Sequence, residues 1–202
     1  MAGRKKMTTE GDGHESSEES TRPMRADARR NYERLLEAAR KVFADQGGGA
    51  SMEAIARQAG VGVGTLYRHF PKRVDVVEAL FRDDVEVLVS TAERDAGLDP
   101  WDALARWLHA YVDYSRTKRT LLNELHEAFD KNPDLKLVSR DRVVAACDAV
   151  LRRAQAAGVA RRDISGEDLM QLVSPMCISA TLTPEQADRL IPLVLDGLRA
   201  HS

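Results

Sequence analysis

Residues 51–70 read SMEAIARQAGVGVGTLYRHF, and this stretch decides the fold. Ser51 stands where an N-cap belongs, because its hydroxyl oxygen can accept from a free amide in the first turn of a helix. The run 52–59 that follows places Met52, Ile55, Ala56 and Ala59 at helical spacing, one apolar face of a short helix. Gly60 ends it, and Gly60-Val61-Gly62 leaves room only for a tight turn. A second short helix begins at Val63, carries Leu66 and Phe70 four residues apart on its inner face, and is closed by Pro71. Helix, three-residue turn, helix, with a small residue in the turn, is the helix-turn-helix pattern.

In that pattern the second helix enters the major groove and its early residues meet base edges. Here those are Val63, Gly64, Thr65 and Arg68. Val63 offers methyl groups to a thymine methyl, Thr65 donates or accepts, and Arg68 reaches guanine or a phosphate. Gly62 and Gly64 let backbone approach the duplex, while Tyr67, His69, Lys72 and Arg73 carry donors suited to phosphates. Ser51 and the amides at its helix start can hold another phosphate. The same geometry also occurs in proteins that bind no DNA, so the pattern alone leaves that alternative open.

Charge falls on the same element. The chain has 202 residues and a net charge of −2, which taken whole argues against nucleic acid. Residues 1–21 carry 3 basic and 5 acidic side chains, residues 22–73 carry 11 and 5, and residues 74–202 carry 16 and 22. A head of +6 therefore lies between an acidic tail and a body of −6. Residues 1–21, rich in Gly, Ser, Glu and Thr, have nothing to bury and read as a disordered tail. We accordingly expect three parts: the tail, a DNA-binding part over 22–73, and an acidic part over 74–202 with a different partner.

The rest of the chain reads as helix. Leu35, Leu36, Ala39, Val42 and Phe43 make one stripe on a helix from about Arg25 to Gln46, stopped by Gly47-Gly48-Gly49. Beyond Pro71, helices are expected at 74–94, from Asp99-Pro100 onward, at 121–129, at 135–157, after Ser165, and at 185–200 behind Thr183-Pro184-Glu185-Gln186. That is about nine helices and no convincing strand, an all-α protein. Hydrophobic residues make up 43% of the chain, enough for a core, and aromatics only 5%. No apolar run approaches the ~20 residues of a membrane span, and the N-terminus lacks the apolar stretch of a secretory signal, so a cytoplasmic protein is expected. Two cysteines, Cys147 and Cys177, make neither a disulfide framework nor a zinc site; inert buried thiols and redox sensors both remain readings. No metal or other cofactor is expected.

Residues 29–80 resemble the N-terminal domain of the tetracycline-repressor (TetR/AcrR) family of bacterial transcriptional regulators. The resemblance lies in Leu35-Leu36-Glu37-Ala38-Ala39 with Val42-Phe43-Ala44-Asp45-Gln46-Gly47, in Ser51-Met52-Glu53-Ala54-Ile55-Ala56, and in the run from Ala59 to Phe70. It implies a three-helix DNA-binding head, a ligand-sensing body, and a homodimer that grips a near-palindromic operator, with repression as the family's default. Gly62 stands where the family often has Ser, and Val74 where it usually has an acidic residue.

The resemblance also implies a pocket among the middle helices and a four-helix dimer interface built from the last two. For the pocket we expect Trp101, Trp107, Tyr111, His126, Phe129, Met170 and Met176, since aromatic and Met side chains suit an adaptable, largely apolar cavity. For the dimer, Leu169, Leu172, Val173 and Met176 form one stripe and Leu190, Ile191, Val194, Leu195 and Leu198 another. The rivals are an architectural DNA binder without ligand control and an enzyme. Gly60-x-Gly62-x-Gly64 follows a helix rather than a strand and lacks the Lys-Ser/Thr of a phosphate loop. An acidic body of about 130 residues exceeds what dimerisation needs.

Overall fold

The computed structural model describes residues 21–179 and 181–200, and among these it is all-helical. The expected disordered tail falls on residues 1–20, outside the described residues, apart from Thr21, which opens the first helix. The helices are α1 (Thr21–Gln46), α2 (Met52–Ala59), α3 (Val63–His69), α4 (Arg73–Arg94), α5 (Pro100–Thr120), α6 (Leu122–Lys131), α7 (Pro133–Ala156), α8 (Gly166–Ile178) and α9 (Pro184–Leu198). Among the described residues, nine α-helices match the expected number.

Local chemistry sets the boundaries. Ser51 Oγ accepts from Ala54 N at 3.1 Å and opens α2. At the far end Gly60 takes φ +66°, a conformation suited to glycine, and the Gly60 and Val61 amides donate back to Arg57 and Ala56. Arg34 of α1 adds a donor to the Ala59 carbonyl at 2.7 Å. Where the sequence suggested a start at Val74, α4 begins at Arg73, because Asp75 at its third position accepts from Lys72 N at 2.8 Å. The Asp75 side chain thus supplies the acid whose absence at Val74 left that start open. The expected helix at 121–129 runs on to Lys131, and α7 begins at Pro133 rather than Leu135, proline fitting the first helical position.

One continuous core runs through the molecule. Leu35, Ala39 and Phe43 of α1, Ile55 of α2 and Leu66 and Phe70 of α3 are buried in the head. Helix α4 packs on α1 and also on α5, α6 and α7, so it belongs to head and body together. In the body, Trp107 is fully buried and its Nε1–H donates to the Leu88 carbonyl at 3.2 Å, fixing α5 against α4. Arg119 donates to the carbonyls of Ser179 and Leu182 at 2.9 and 2.8 Å, tying α5 to the connection between α8 and α9. The end of α9 is held by the Arg199 guanidinium, 3.7 Å above the Trp101 ring.

Candidate DNA interface and ligand cavity

Helix α3 turns Leu66 and Phe70 into the core, which leaves its other faces outward. Val63 and Tyr67 are 40% and 42% exposed on that outward side. Gly62, Gly64 and Arg68 are exposed beside them, and Thr65 is half-exposed. An added Cβ at Gly62 or Gly64 would meet nothing within 4 Å, so both line open space. Ser51 and Lys72 are exposed at the edges of the same element. His69 is half-buried, its ring 6.2 Å from Tyr32 of α1.

Arg73 differs from its neighbours. It is half-buried, donates to Glu124 Oε1 of α6 at 2.9 Å and to the Ala50 carbonyl, and lies 4.8 Å above the Phe43 ring. Two further links hold the head: Arg40 of α1 donates to Asp83 at 3.0 Å and also to Asp84, and Lys131 reaches Asp75 at 2.6 Å. Burial raises the Asp84 carboxyl above the usual range, and Arg40 pulls the other way.

The body contains a cavity of about 210 Å³ walled by five helices. Phe81 comes from α4, Tyr111, Tyr114 and Lys118 from α5, Phe129 from α6, Lys136, Arg140 and Val143 from α7, and Met170 and Ser174 from α8. Phe81 meets Phe129 edge-on at 5.3 Å, and the Tyr111 hydroxyl donates to Ser174 Oγ at 2.7 Å. Burial raises both the Tyr111 and Tyr114 phenols above their ordinary range. A larger hollow of about 540 Å³ lies between Tyr32, α4 and α7. It is more open, and its charges are matched across it, Arg142 meeting Glu86 at 2.6 Å.

Residues 35–80 match the family described as bacterial regulatory proteins, tetR family, and residues 99–200 match the SbtR-like transcriptional regulator C-terminal domain. The second match alone covers half of the chain. The chain belongs to the TetR family of transcriptional regulators. Its fold is similar to the TetR regulator SCO0520 of Streptomyces coelicolor, with 36% identity, a TM-score of 0.75, and 84% of this chain and 99% of that one covered. A TetR regulatory protein of Mycobacterium vanbaalenii follows, at 32% identity, a TM-score of 0.67, and 88% and 99% coverage. HTH-type transcriptional regulators of Staphylococcus aureus are 38% identical over 68 residues, 33% of this chain and 37% of those proteins. The chain thus spans little more than a third of the length of these curated relatives.

In this TetR-family regulator Tyr111, Phe129 and Met170 line the cavity, as the sequence suggested. The other four residues expected there lie elsewhere. Trp107 is core, Trp101 sits beneath Arg199, His126 is exposed on α6, and Met176 packs on the core outside the cavity walls. Sequence reasoning missed Phe81, Tyr114, Lys118, Lys136 and Arg140, which look like ordinary surface or core residues until α4, α5 and α7 are packed together. The two interface stripes also divide. Leu169, Val173, Ile191 and Leu198 are buried within the protomer, Leu190, Val194, Leu195 and Met176 are half-buried, and Leu172 is 61% exposed. Leu193, not singled out in the sequence, is 64% exposed. Both cysteines are free and buried. Among the described residues no helix is long and apolar enough to cross a membrane, and no group of three His, Cys, Asp or Glu could hold a metal.

Proposed function

We propose that this regulator binds a near-palindromic operator as a homodimer in the cytoplasm, represses from it, and leaves it when a small molecule occupies the 210 Å³ cavity. The observation that carries the reading is the double membership of α4. The helix packs on the DNA-binding head, and its Phe81 forms part of the cavity wall. Residues 22–73 act as the head and 74–202 as the body, with α4 as the lever between them.

On the DNA side, Val63, Gly64, Thr65 and Arg68 read bases, and Ser51, Gly62, Tyr67, His69 and Lys72 meet the backbone. Arg73 is set aside from that group because its partners hold it inside. The dimer face is carried by Leu172 and Leu193, joined by Met176, Leu190, Val194 and Leu195. Two recognition helices must stand ~34–36 Å apart to enter successive major grooves. A ligand that binds the protein better when α4 is displaced changes that spacing and releases DNA.

Selection from random duplexes, followed by titration of the selected DNA with a compound library present, tests this. A pseudo-palindromic consensus and at least one compound that weakens binding are expected. No enriched sequence, or equal operator affinity with every compound that binds the protein, overturns it.

A further inference from the structure

The charges around the cavity do not balance. Arg140 has carboxylate partners, Glu167 across the mouth and Asp141 at 3.7 Å. Lys118 and Lys136 have no ion-pair or hydrogen-bond partner among the described residues, and of the two Lys136 is exposed to water. Lys118 is half-buried, with its ammonium 5.9 Å from the centre of the Phe81 ring, a weak substitute for a counter-charge. Withdrawing an ammonium from water without a partner anion is costly, and proteins as a rule pair such groups. Burial, and then the repulsion of Lys136, lower the Lys118 pKa, and no carboxylate opposes them. The apolar part of the wall is made by Phe81, Phe129 and Met170, while Glu167, Gln171 and Ser174 of α8 are polar.

We infer that the cavity takes a small amphipathic organic acid, its carboxylate between Lys118 and Lys136 and its apolar part against Phe81, Phe129 and Met170. This rests on the proposal that the cavity is the effector site and names the class of effector. Neutral apolar molecules fit the same walls but leave the two ammonium groups unpaired. Cations are repelled. The volume, about 210 Å³, lies below the ~300–1,000 Å³ of drug-sized sites, so one aryl ring or a short acyl chain fills it. Proton balance follows from the chemistry: a bound carboxylate favours the ammonium form of Lys118, so binding takes up a fraction of a proton wherever free Lys118 is partly neutral. The titratable groups that share the cavity wall with it are Tyr111 and Tyr114 on its own helix, Lys136 and Arg140 on α7, and Glu167 on α8.

The test is thermal melting of the full chain with matched acids and amides: benzoate against benzamide, 3-phenylpropanoate against its amide, and octanoate against octanamide. At 100-fold above its Kd an acid is expected to raise Tm by ~5 °C or more, while the amide of the same shape raises it far less. Aryl and acyl arms say which apolar part fits. In Lys118→Met/Lys136→Met the acid shift disappears, and in Lys118→Arg it is retained. Equal shifts from acid and amide in the wild type, or an acid shift unchanged in the double variant, overturn the organic-acid assignment and leave ligand control standing. No shift from any acid also overturns the assignment. Ligand control itself falls only if no compound of any charge weakens operator binding, which is a separate readout. The wild-type comparison needs no variant, so it decides the matter even if the double variant does not fold.

Discussion

Arg73 Nη2 donates to Glu124 Oε1 at 2.9 Å, joining the first residue of α4 to the first turn of α6 across 51 residues of chain. Both side chains are mostly covered, at 28% and 17% exposure, so solvent screens the pair less than it would a surface bridge. The same guanidinium serves the Ala50 carbonyl, which closes the connection into the helix-turn-helix. The DNA-binding head is therefore fastened to the body at the point where α4 starts.

Glu124→Gln keeps the shape and removes the charge, and is expected to lower stability by about 1–2 kcal/mol; Arg73→Ala also strands the Ala50 carbonyl and costs about 1–3 kcal/mol. Urea midpoints give both values. Salt titration of operator binding separates this role from a phosphate contact. Arg73→Ala leaves the slope of log K against log salt unchanged, whereas loss of a phosphate contact would reduce it by about 0.9.

Lys72→Ala is expected to make that reduction, because Lys72 is exposed just before α4 and is proposed to meet a phosphate. Tyr67→Phe removes one hydroxyl and weakens all sequences alike. Arg68→Ala behaves differently if it reads a base. It relaxes preference at one operator position by about 1–3 kcal/mol and leaves other positions intact. A uniform loss in Arg68→Ala would move Arg68 to the backbone group.

The head was legible because its signals are local. An N-cap serine, a glycine that must take positive φ, and Leu66 and Phe70 four residues apart are each decided within one or two turns. The cavity was not, because its walls come from five helices far apart in sequence. Lys118, Lys136 and Arg140 look in sequence like three solvated charges, and only the packing of α5 on α7 brings them to one opening. Aromatic identity misled in the other direction. Trp107 is large and apolar enough to suggest a ligand wall, but a side chain with no exposure belongs to the core.

The proposed dimer face invites a similar division. Leu172→Glu and Leu193→Glu change exposed residues, so each is expected to give a folded monomer, read as halved mass in sedimentation with the helical melt retained. Leu169→Glu or Val173→Glu buries a charge within the protomer and is expected to unfold it. A Leu172→Glu/Leu193→Glu chain that stays dimeric would place the interface elsewhere.

Cys147 offers a titration with a definite sign. Burial, with the Asp148 carboxylate beside it, pushes its thiol up to about 12. A raised pKa in the fold means that the unfolded chain ionises first. The contribution of Cys147 is therefore fully present below pH ~9 and is lost as pH rises towards 12. The loss approaches about 1.4 kcal/mol per pH unit, so Cys147→Ala, though less stable at neutral pH, should show a flatter decline between pH 9 and 11. For the same reason both thiols are expected to resist a thiol-specific reagent at pH 8 until the protein opens, which would set aside the redox-sensor reading.

Gly166 tests how tightly α8 must approach α7. An added Cβ would lie 2.6 Å from the Asp148 Cα and 2.7 Å from its backbone nitrogen, so the clash is with a neighbouring helix's main chain and not with a movable side chain. The Gly166 amide donates to Asp148 Oδ1 at 3.1 Å, so the contact is bonded as well as close. Helix propensity by itself favours Ala over Gly by up to ~1 kcal/mol. Overpacking outweighs it, and Gly166→Ala is expected to lose about 1–3 kcal/mol, a fall in Tm of several degrees. Because α8 carries Met170 and Ser174 of the cavity wall, its displacement should also weaken any acid that binds there. A Tm that rises in Gly166→Ala would mean that the two helices have slack, and that glycine at this position is no structural requirement.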